Sequence, residues 1–229
     1  MSLLYDRAAD LLRATYDLRV RGPAVLDPAV HFADATRFVA SWPALRDEAL
    51  RVSEELRRVP RFHELMPAQT DIAAVDGRDW RMLVLKAYGV PIQDNLGRCP
   101  LLWSLVQSAP DVLSATLSYL APHKHIPRHR GPFRGVLRFH VGLSVPLDGQ
   151  GLPAAVLEID GIPHRIGDGM SLLWDDTYPH EVWNHSDRVR IALLLDVRRR
   201  RDLPPDMQLL SRLVIGGVGA AVRLRGTAA

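Results

Sequence analysis

Residues 136–145 alternate between apolar and mixed positions: Leu137, Phe139, Val141, Leu143 and Val145 are apolar, with Val136, Arg138, His140, Gly142 and Ser144 between them. A period of two is that of a β-strand, whose successive side chains point to opposite faces. One face of this strand therefore belongs to a core, and the other carries Arg138 and His140 together. A half-buried antiparallel strand with its second face in water alternates in the same way, so alternation alone leaves open what that pair faces. From Leu113 onward, short β-type runs recur about every ten residues between turn residues, the rhythm of a sandwich or barrel. Predicted strands cover 115–120, 136–145, 155–159, 164–166, 170–173, 180–184 and 190–197. Asp160-Gly161 predicts a tight hairpin, because both central positions of a type I′ turn need positive φ. Gly167-Asp168-Gly169 marks the next break.

The first third follows a helical period. Residues 3–20 and 42–59 carry apolar side chains three and four apart, as at Trp42, Leu45, Ala49, Val52 and Leu56, which makes one buried stripe. Ser41 before Trp42-Pro43 predicts a helix start. Cys99-Pro100 opens a shorter helix through Val106, limited by Pro110. At the other end, four consecutive arginines at 198–201 precede 209–224, which is apolar except for Ser211, the glycines, Arg212 and Arg223. That stretch is too short and too charged to span a bilayer, which takes about 20 apolar residues. It is either a helix packed on the body or an interfacial helix beside a polybasic patch.

With 229 residues and 47% apolar content, the chain is long enough for one sizeable core. The expected division, all within one domain, is a helical N-terminal extension over 1–112, a β core over 113–200 and a tail over 201–229. Cys99 is alone, which excludes an internal disulfide framework. Met1-Ser2-Leu3-Leu4-Tyr5-Asp6 lacks a basic stretch followed by an apolar run, so no secretion signal is expected. The expected location is the cytoplasm, with the tail as a possible attachment to the inner membrane surface. A pI near 9.3 invites a nucleic-acid partner, but the net charge is only +3. Lys86 and Lys124 are the only lysines, and no aromatic residues are interleaved with the arginines as a stacking platform requires. Nucleic acid is not an expected partner.

Two histidines about fifty residues apart carry the candidate chemistry. His129 lies in His125-Ile126-Pro127-Arg128-His129-Arg130-Gly131-Pro132. His180 lies in Trp174-Asp175-Asp176-Thr177-Tyr178-Pro179-His180-Glu181-Val182-Trp183, ten residues before Arg190. Each histidine is tied to an arginine, and imidazole pairs suit non-haem iron. His125 has helical chelate spacing to His129, but Pro127 between them predicts extended chain, and support or packing is its expected role. His123, His164 and His185 are expected at the surface or in turns. Asp175 and Asp176 are expected to fix their turn by accepting backbone hydrogen bonds. Arg128, Arg130 and Arg134 crowd the first histidine, either as partners for an anionic substrate group or as solvated side chains.

These residues resemble a known family. Leu117-Ser118, His129-Arg130-Gly131-Pro132, Leu137-Arg138-Phe139-His140-Val141-Gly142-Leu143 with Val145-Pro146, the His180 segment, and Arg190 with Asp196-Val197 together look like the aspartyl/asparaginyl β-hydroxylases, which are Fe(II)- and 2-oxoglutarate-dependent dioxygenases. The resemblance spans about 80–197. It implies a mainly β fold with flanking helices, the double-stranded β-helix, also called a jelly roll and cupin-like. It also implies His129 and His180 as catalytic iron ligands. Arg190 with Ser118 resembles the clasp on the distal carboxylate of 2-oxoglutarate, and Arg138 with His140 resembles the residues near the carboxylate beside the metal. Most enzymes of this chemistry carry a carboxylate two residues after the first histidine; here Gly131 stands there, as is usual in this family. The same gap elsewhere admits halide, so hydroxylation and halogenation both remain open. The implied reaction consumes O2 and 2-oxoglutarate, hydroxylates an unactivated C–H of an aspartyl or asparaginyl group or a related anionic substrate, and releases succinate and CO2. The substrate is then a small molecule or a peptidyl group. A bacterial branch that hydroxylates lipid acyl chains is also similar, notably in the 160–161 hairpin, the 167–169 turn and the basic, apolar tail. A non-catalytic jelly-roll binding module is the third possibility, although such a module has no reason to keep Ser118, His129, Arg138, His180 and Arg190 together.

Overall fold

A computed structural model describes residues 2–73 and 76–225; Met1, residues 74–75 and the last four positions of the expected tail lie outside the described residues. Its strands are β1 (Val25–Leu26), β2 (Trp80–Ala87), β3 (Val90–Pro91), β4 (Val112–Leu120), β5 (His125–His129), β6 (Val136–Ser144), β7 (Ala155–Ile159), β8 (Ile162–His164), β9 (Ser171–Trp174), β10 (His180–Asn184) and β11 (Arg190–Arg198). They form a seven-stranded sheet in the order β1-β9-β6-β11-β4-β2-β3 and a four-stranded sheet in the order β5-β10-β7-β8. The helices are α1 (Ser2–Arg19), α2 (Pro28–His31), α3 (Ala35–Ala40), α4 (Trp42–Glu54), α5 (Phe62–Leu65), α6 (Thr70–Ala73), α7 (Gln93–Leu96), α8 (Pro100–Gln107) and α9 (Pro205–Arg225). This is the expected mainly β architecture with flanking helices, the double-stranded β-helix.

The alternation in β6 acquires its meaning here. Leu137, Phe139, Val141 and Leu143 join Leu193, Leu195 and Val197 of β11 and pack against Phe38, Leu45, Val52 and Leu102 of the helical layer. The opposite face does not look into water. It looks toward the smaller sheet, and between the two sheets Leu120, Ile126, Leu157, Ile159, Ile166, Trp174 and Val182 make a second core. Antiparallel registry sets Arg138 opposite Asp196, His140 opposite Leu194 and Gly142 opposite Ala192, while Ala192 also faces Ser118 of β4. Directly opposed residues share a face. A row of polar groups is thereby carried into an apolar sandwich.

The helical N-terminal extension expected over 1–112 also contributes β1, β2 and β3, which belong to the larger sheet. Their signal is masked because β2 is apolar on both faces: Leu83 and Leu85 point into the helical layer, whereas Trp80 belongs to the inter-sheet core. A strand with two apolar faces shows no period of two. The stretch 42–59 also divides, into α4 and a short 3-10 turn over Leu56–Arg58. The hairpin forms as expected, with φ of 51° at Asp160 and 81° at Gly161, but its second strand is β8 directly after the turn rather than 164–166. A two-residue loop leaves no room for a later start, and Ile162 pairs with Ile159.

The tail is a helix fastened along one face. Met207, Ser211, Ile215 and Gly219 of α9, spaced by four, are buried against the body. Tyr16 of α1 donates to the carbonyl of Met207 at 3.1 Å, and its hydroxyl lies 2.7 Å from Ser211 Oγ. A Cβ on Gly219 would stand 2.8 Å from the carbonyl oxygen of Tyr88, so only glycine permits this approach.

Candidate functional site

His129 ends β5 and His180 begins β10, and the two are register partners. Their ring centroids are 4.1 Å apart. Each Nδ1 meets the carbonyl of the residue two positions earlier, Pro127 O at 2.8 Å for His129 and Tyr178 O at 2.9 Å for His180. A carbonyl can only accept, so each Nδ1 carries its hydrogen and each Nε2 is left with a free lone pair. Burial pushes both imidazoles below their ordinary pKa, most strongly for His180, where the neighbouring His129 adds to the effect and the Tyr178 carbonyl opposes it. Neutral imidazole is the ligating form. The Trp174 ring meets His180 edge-on at 4.6 Å and walls off this side.

Gly131 is the second point of interest. Its N–H donates to the carbonyl of Asp176 at 2.7 Å, and a Cβ placed on it would fall 2.2 Å from Asp176 Oδ1. The space that a side chain at position 131 would use is thus filled by a carboxyl group from the other histidine segment. Asp176 does not serve its own turn, as expected of it; Asp175 does, accepting from Thr177 N at 3.1 Å and Thr177 Oγ1 at 2.6 Å. Asp176 Oδ1 is buried without a partner, and Oδ2 lies 3.3 Å from Arg138 Nη2. Burial raises its pKa to about 7 against the pull of Arg138, with Asp196 and Asp175 raising it further. Among the described residues no three His, Cys, Asp or Glu side chains converge to hold a metal.

On the far side of the inner face lies a cavity of about 200 Å³, counting its open part, lined by His140, Leu157, His164, Ile166 and Arg190 among others. Arg190 is 5% exposed, and its guanidinium has no hydrogen bond or ion pair among the described residues. Burial lowers its pKa to about 10. His140 is pushed well down by burial, with the charges of Arg190 and Arg138 adding to the effect. Ser118 lies on the same sheet face, opposite Ala192 and two residues along from Arg190. Its Oγ accepts from Trp80 Nε1 at 3.1 Å, which leaves its own hydrogen to donate. The five guanidinium N–H groups of Arg190 at this cavity, with the Ser118 hydroxyl on the same sheet face, are donors of the kind that suit a carboxylate.

Arg138 behaves differently from Arg190. Its Nε and Nη2 both reach Asp196 Oδ1, at 3.1 and 2.8 Å, so it is held between two carboxylates near the histidines. His125 stacks on Trp183 at 4.9 Å and meets Glu181 at 3.0 Å, a packing role. His123 pairs with exposed Asp187. His164, expected at the surface or in a turn, instead lines the Arg190 cavity, with Nε2 buried and unpartnered. The hairpin carried the missing signal, since Ile159 opposite Ile162 sets His164 opposite Leu157. The arginines near His129 are neither free anion partners nor solvated as a group. Exposed Arg128 reaches half-buried Glu158, while Arg130 donates to Thr177 O. Buried Arg134 binds Thr177 Oγ1 at 3.0 Å, Val20 O at 2.9 Å, Asp17 at 3.1 Å and Asp175 at 3.0 Å.

Residues 39–200 match the family described as aspartyl/asparaginyl beta-hydroxylase. The chain belongs to this family. A relative from Rhizobium tropici, the ornithine lipid ester-linked acyl 2-hydroxylase, is 35% identical over 78% of this chain and 61% of its own length. The human aspartyl/asparaginyl beta-hydroxylase is 24% identical over 72% of this chain and 22% of its own. The chain therefore spans less than two thirds of either relative. A solved prolyl-4-hydroxylase from Pseudomonas putida aligns over 83% of this chain and 99% of its own, with 14% identity and a TM-score of 0.46.

Proposed function

We propose that this protein is an Fe(II)- and 2-oxoglutarate-dependent hydroxylase whose substrate is the acyl chain of a lipid. His129 and His180 would hold the iron through Nε2, and Arg190 with the Ser118 hydroxyl would bind the distal carboxylate of 2-oxoglutarate. When bound, iron and the keto acid supply the oxidation, in which one oxygen of O2 enters a substrate C–H bond and the other leaves in succinate, with release of CO2. The protein's own work is placement. The Pro127 and Tyr178 carbonyls orient the imidazoles, Trp174 and the inter-sheet core keep water out, and neutral His140 offers a hydrogen bond without adding charge beside Arg190.

The observation that carries this reading is a buried guanidinium without an anion, set beyond a pair of imidazoles with free lone pairs. A bare buried cation costs on the order of several kcal/mol, which a dicarboxylate would offset. The carboxyl group in the Gly131 space favours hydroxylation over halogenation, because a halide there would meet Asp176. The Rhizobium relative supports a lipid, and the family description and the human relative support an aspartyl or asparaginyl group as the second reading.

Anaerobic titration with Fe(II) and 2-oxoglutarate, followed by O2, tests the chemistry. Succinate release is expected from the parent and not from the His129→Ala/His180→Ala double variant. Equal turnover in both would defeat the iron assignment. A gain of one oxygen in lipid extracts, or instead in Asp- and Asn-containing peptides, decides between the substrates.

A further inference from the structure

Where β11 ends, the chain runs Arg198-Arg199-Arg200-Arg201 and then enters α9. A cleft of about 430 Å³, counting its open part, lies between the two and is walled by Arg198, Arg199, Arg200, Arg212, Gln208 and Ser211. Asp111 answers Arg200 at 2.6 Å. Arg199 is pinned at Nη1 by Asp175 at 2.8 Å, and its buried Nε–H has no partner. Burial and the charge of Arg200 lower the Arg198 pKa, with Asp111 opposing and Arg212 adding to the effect. Several guanidiniums around one concavity make a focused positive field.

The exposed face of α9 is a second, independent observation. Leu209, Leu213 and Leu224 are 58%, 65% and 87% exposed. With Gly216 and Ala220, also exposed, they recur every three or four residues and form one stripe. Exposed Arg212 and Arg223 border it. The stretch Pro205–Leu224 is long and apolar enough to cross a membrane by length and composition. Met207, Ser211, Ile215 and Gly219, however, fasten its other side to the body, so the helix offers a face rather than a span. A second copy of the chain is a poor cover for that face, because it would bring its own arginines against these. A surface that is apolar inside and lined with phosphate outside complements both features.

We propose that α9 docks this protein on an anionic phospholipid bilayer, with Leu209, Leu213 and Leu224 in the acyl boundary and a lipid phosphate in the cleft of Arg198, Arg200 and Arg212. The proposal rests on the lipid reading for its purpose, but its test is separate from catalysis.

Full-length protein is sedimented with vesicles of phosphatidylcholine alone and of phosphatidylcholine with phosphatidylglycerol. Pelleting is expected with the anionic vesicles and should weaken as salt rises. The Arg198→Gln/Arg212→Gln and Leu209→Asp/Leu213→Asp variants should each bind about ten-fold more weakly or worse. Their thermal unfolding should match the parent's, and Leu224→Asp serves if the leucine pair fails to fold. No pelleting with anionic vesicles overturns the proposal. So does equal pelleting by the parent and the arginine variant, a self-associated parent that Leu209→Asp/Leu213→Asp disperses, or binding of an oligonucleotide in place of vesicles. Vesicle binding without uptake of Fe(II) and 2-oxoglutarate would sink the enzymatic reading and leave docking standing; the reverse would sink docking alone.

Discussion

Arg134 and Arg190 are both buried, yet their surroundings are opposites. Arg134 is held by Thr177, Val20, Asp17 and Asp175, and its guanidinium lies 5.0 Å over the Tyr178 ring. Arg190 sits at the edge of a cavity with nothing to bind, and burial lowers its pKa to about 10. A buried cation is stable only with its counter-charge in place. Arg134 is therefore explained by the fold it ties together, since it joins the loop after His129 to the loop before His180. Arg190 ties no such segments together, and under the proposed function its partner is the distal carboxylate of 2-oxoglutarate.

Methionine at each position should pull the two apart. Arg134→Met is expected to destabilise the protein by about 3 to 5 kcal/mol, because Asp175 loses a buried partner; a chemical denaturation midpoint near the parent's would break the contrast. Arg190→Met should weaken 2-oxoglutarate binding by about 2 to 5 kcal/mol, read by calorimetry, while raising the melting temperature of the ligand-free protein. A fall in that temperature would mean that Arg190, too, is structural. Gly131→Ala drives a methyl group into the Asp176 carboxyl and is expected to cost about 1 to 3 kcal/mol in stability. The smallest effect is a pH slope. His140 stays neutral in the folded state, with its pKa well below 6.5, whereas the unfolded chain takes up a proton there. Stability is thus full above pH 6.5 and falls as pH drops toward the folded value, by roughly 1.4 kcal/mol per pH unit from this group. His140→Gln should flatten that slope in denaturation curves taken from pH 7 to pH 5.

Much of the site was legible because its segments are local. The alternation over 136–145 reported that Arg138 and His140 share a face, and Asp160-Gly161 reported the hairpin. Other features were hidden for identifiable reasons. β2 is apolar on both faces, so its period vanished. His164 looked like a turn residue until the registry of β7 and β8 turned it toward Arg190. Asp176 read as a turn former, and only the approach of the two histidine segments reveals its carboxyl in the Gly131 space. Arg128, Arg130 and Arg134 formed one cluster in the sequence, but their partners lie on α1, β7 and the 175–178 loop.

By itself the sequence determined which strands alternate, where the chain turns tightly and which residue types are available for a metal and a carboxylate. Those properties depend on neighbours a few positions away, whose spacing the backbone period sets. Which charges are satisfied and which are left waiting was decided only by tertiary structure. Arg134 and Arg190 are the same residue type and are both buried, and the difference between them is the long-range company each keeps. A side chain's partners across two sheets are set by strand registry and loop approach, and no local pattern encodes them.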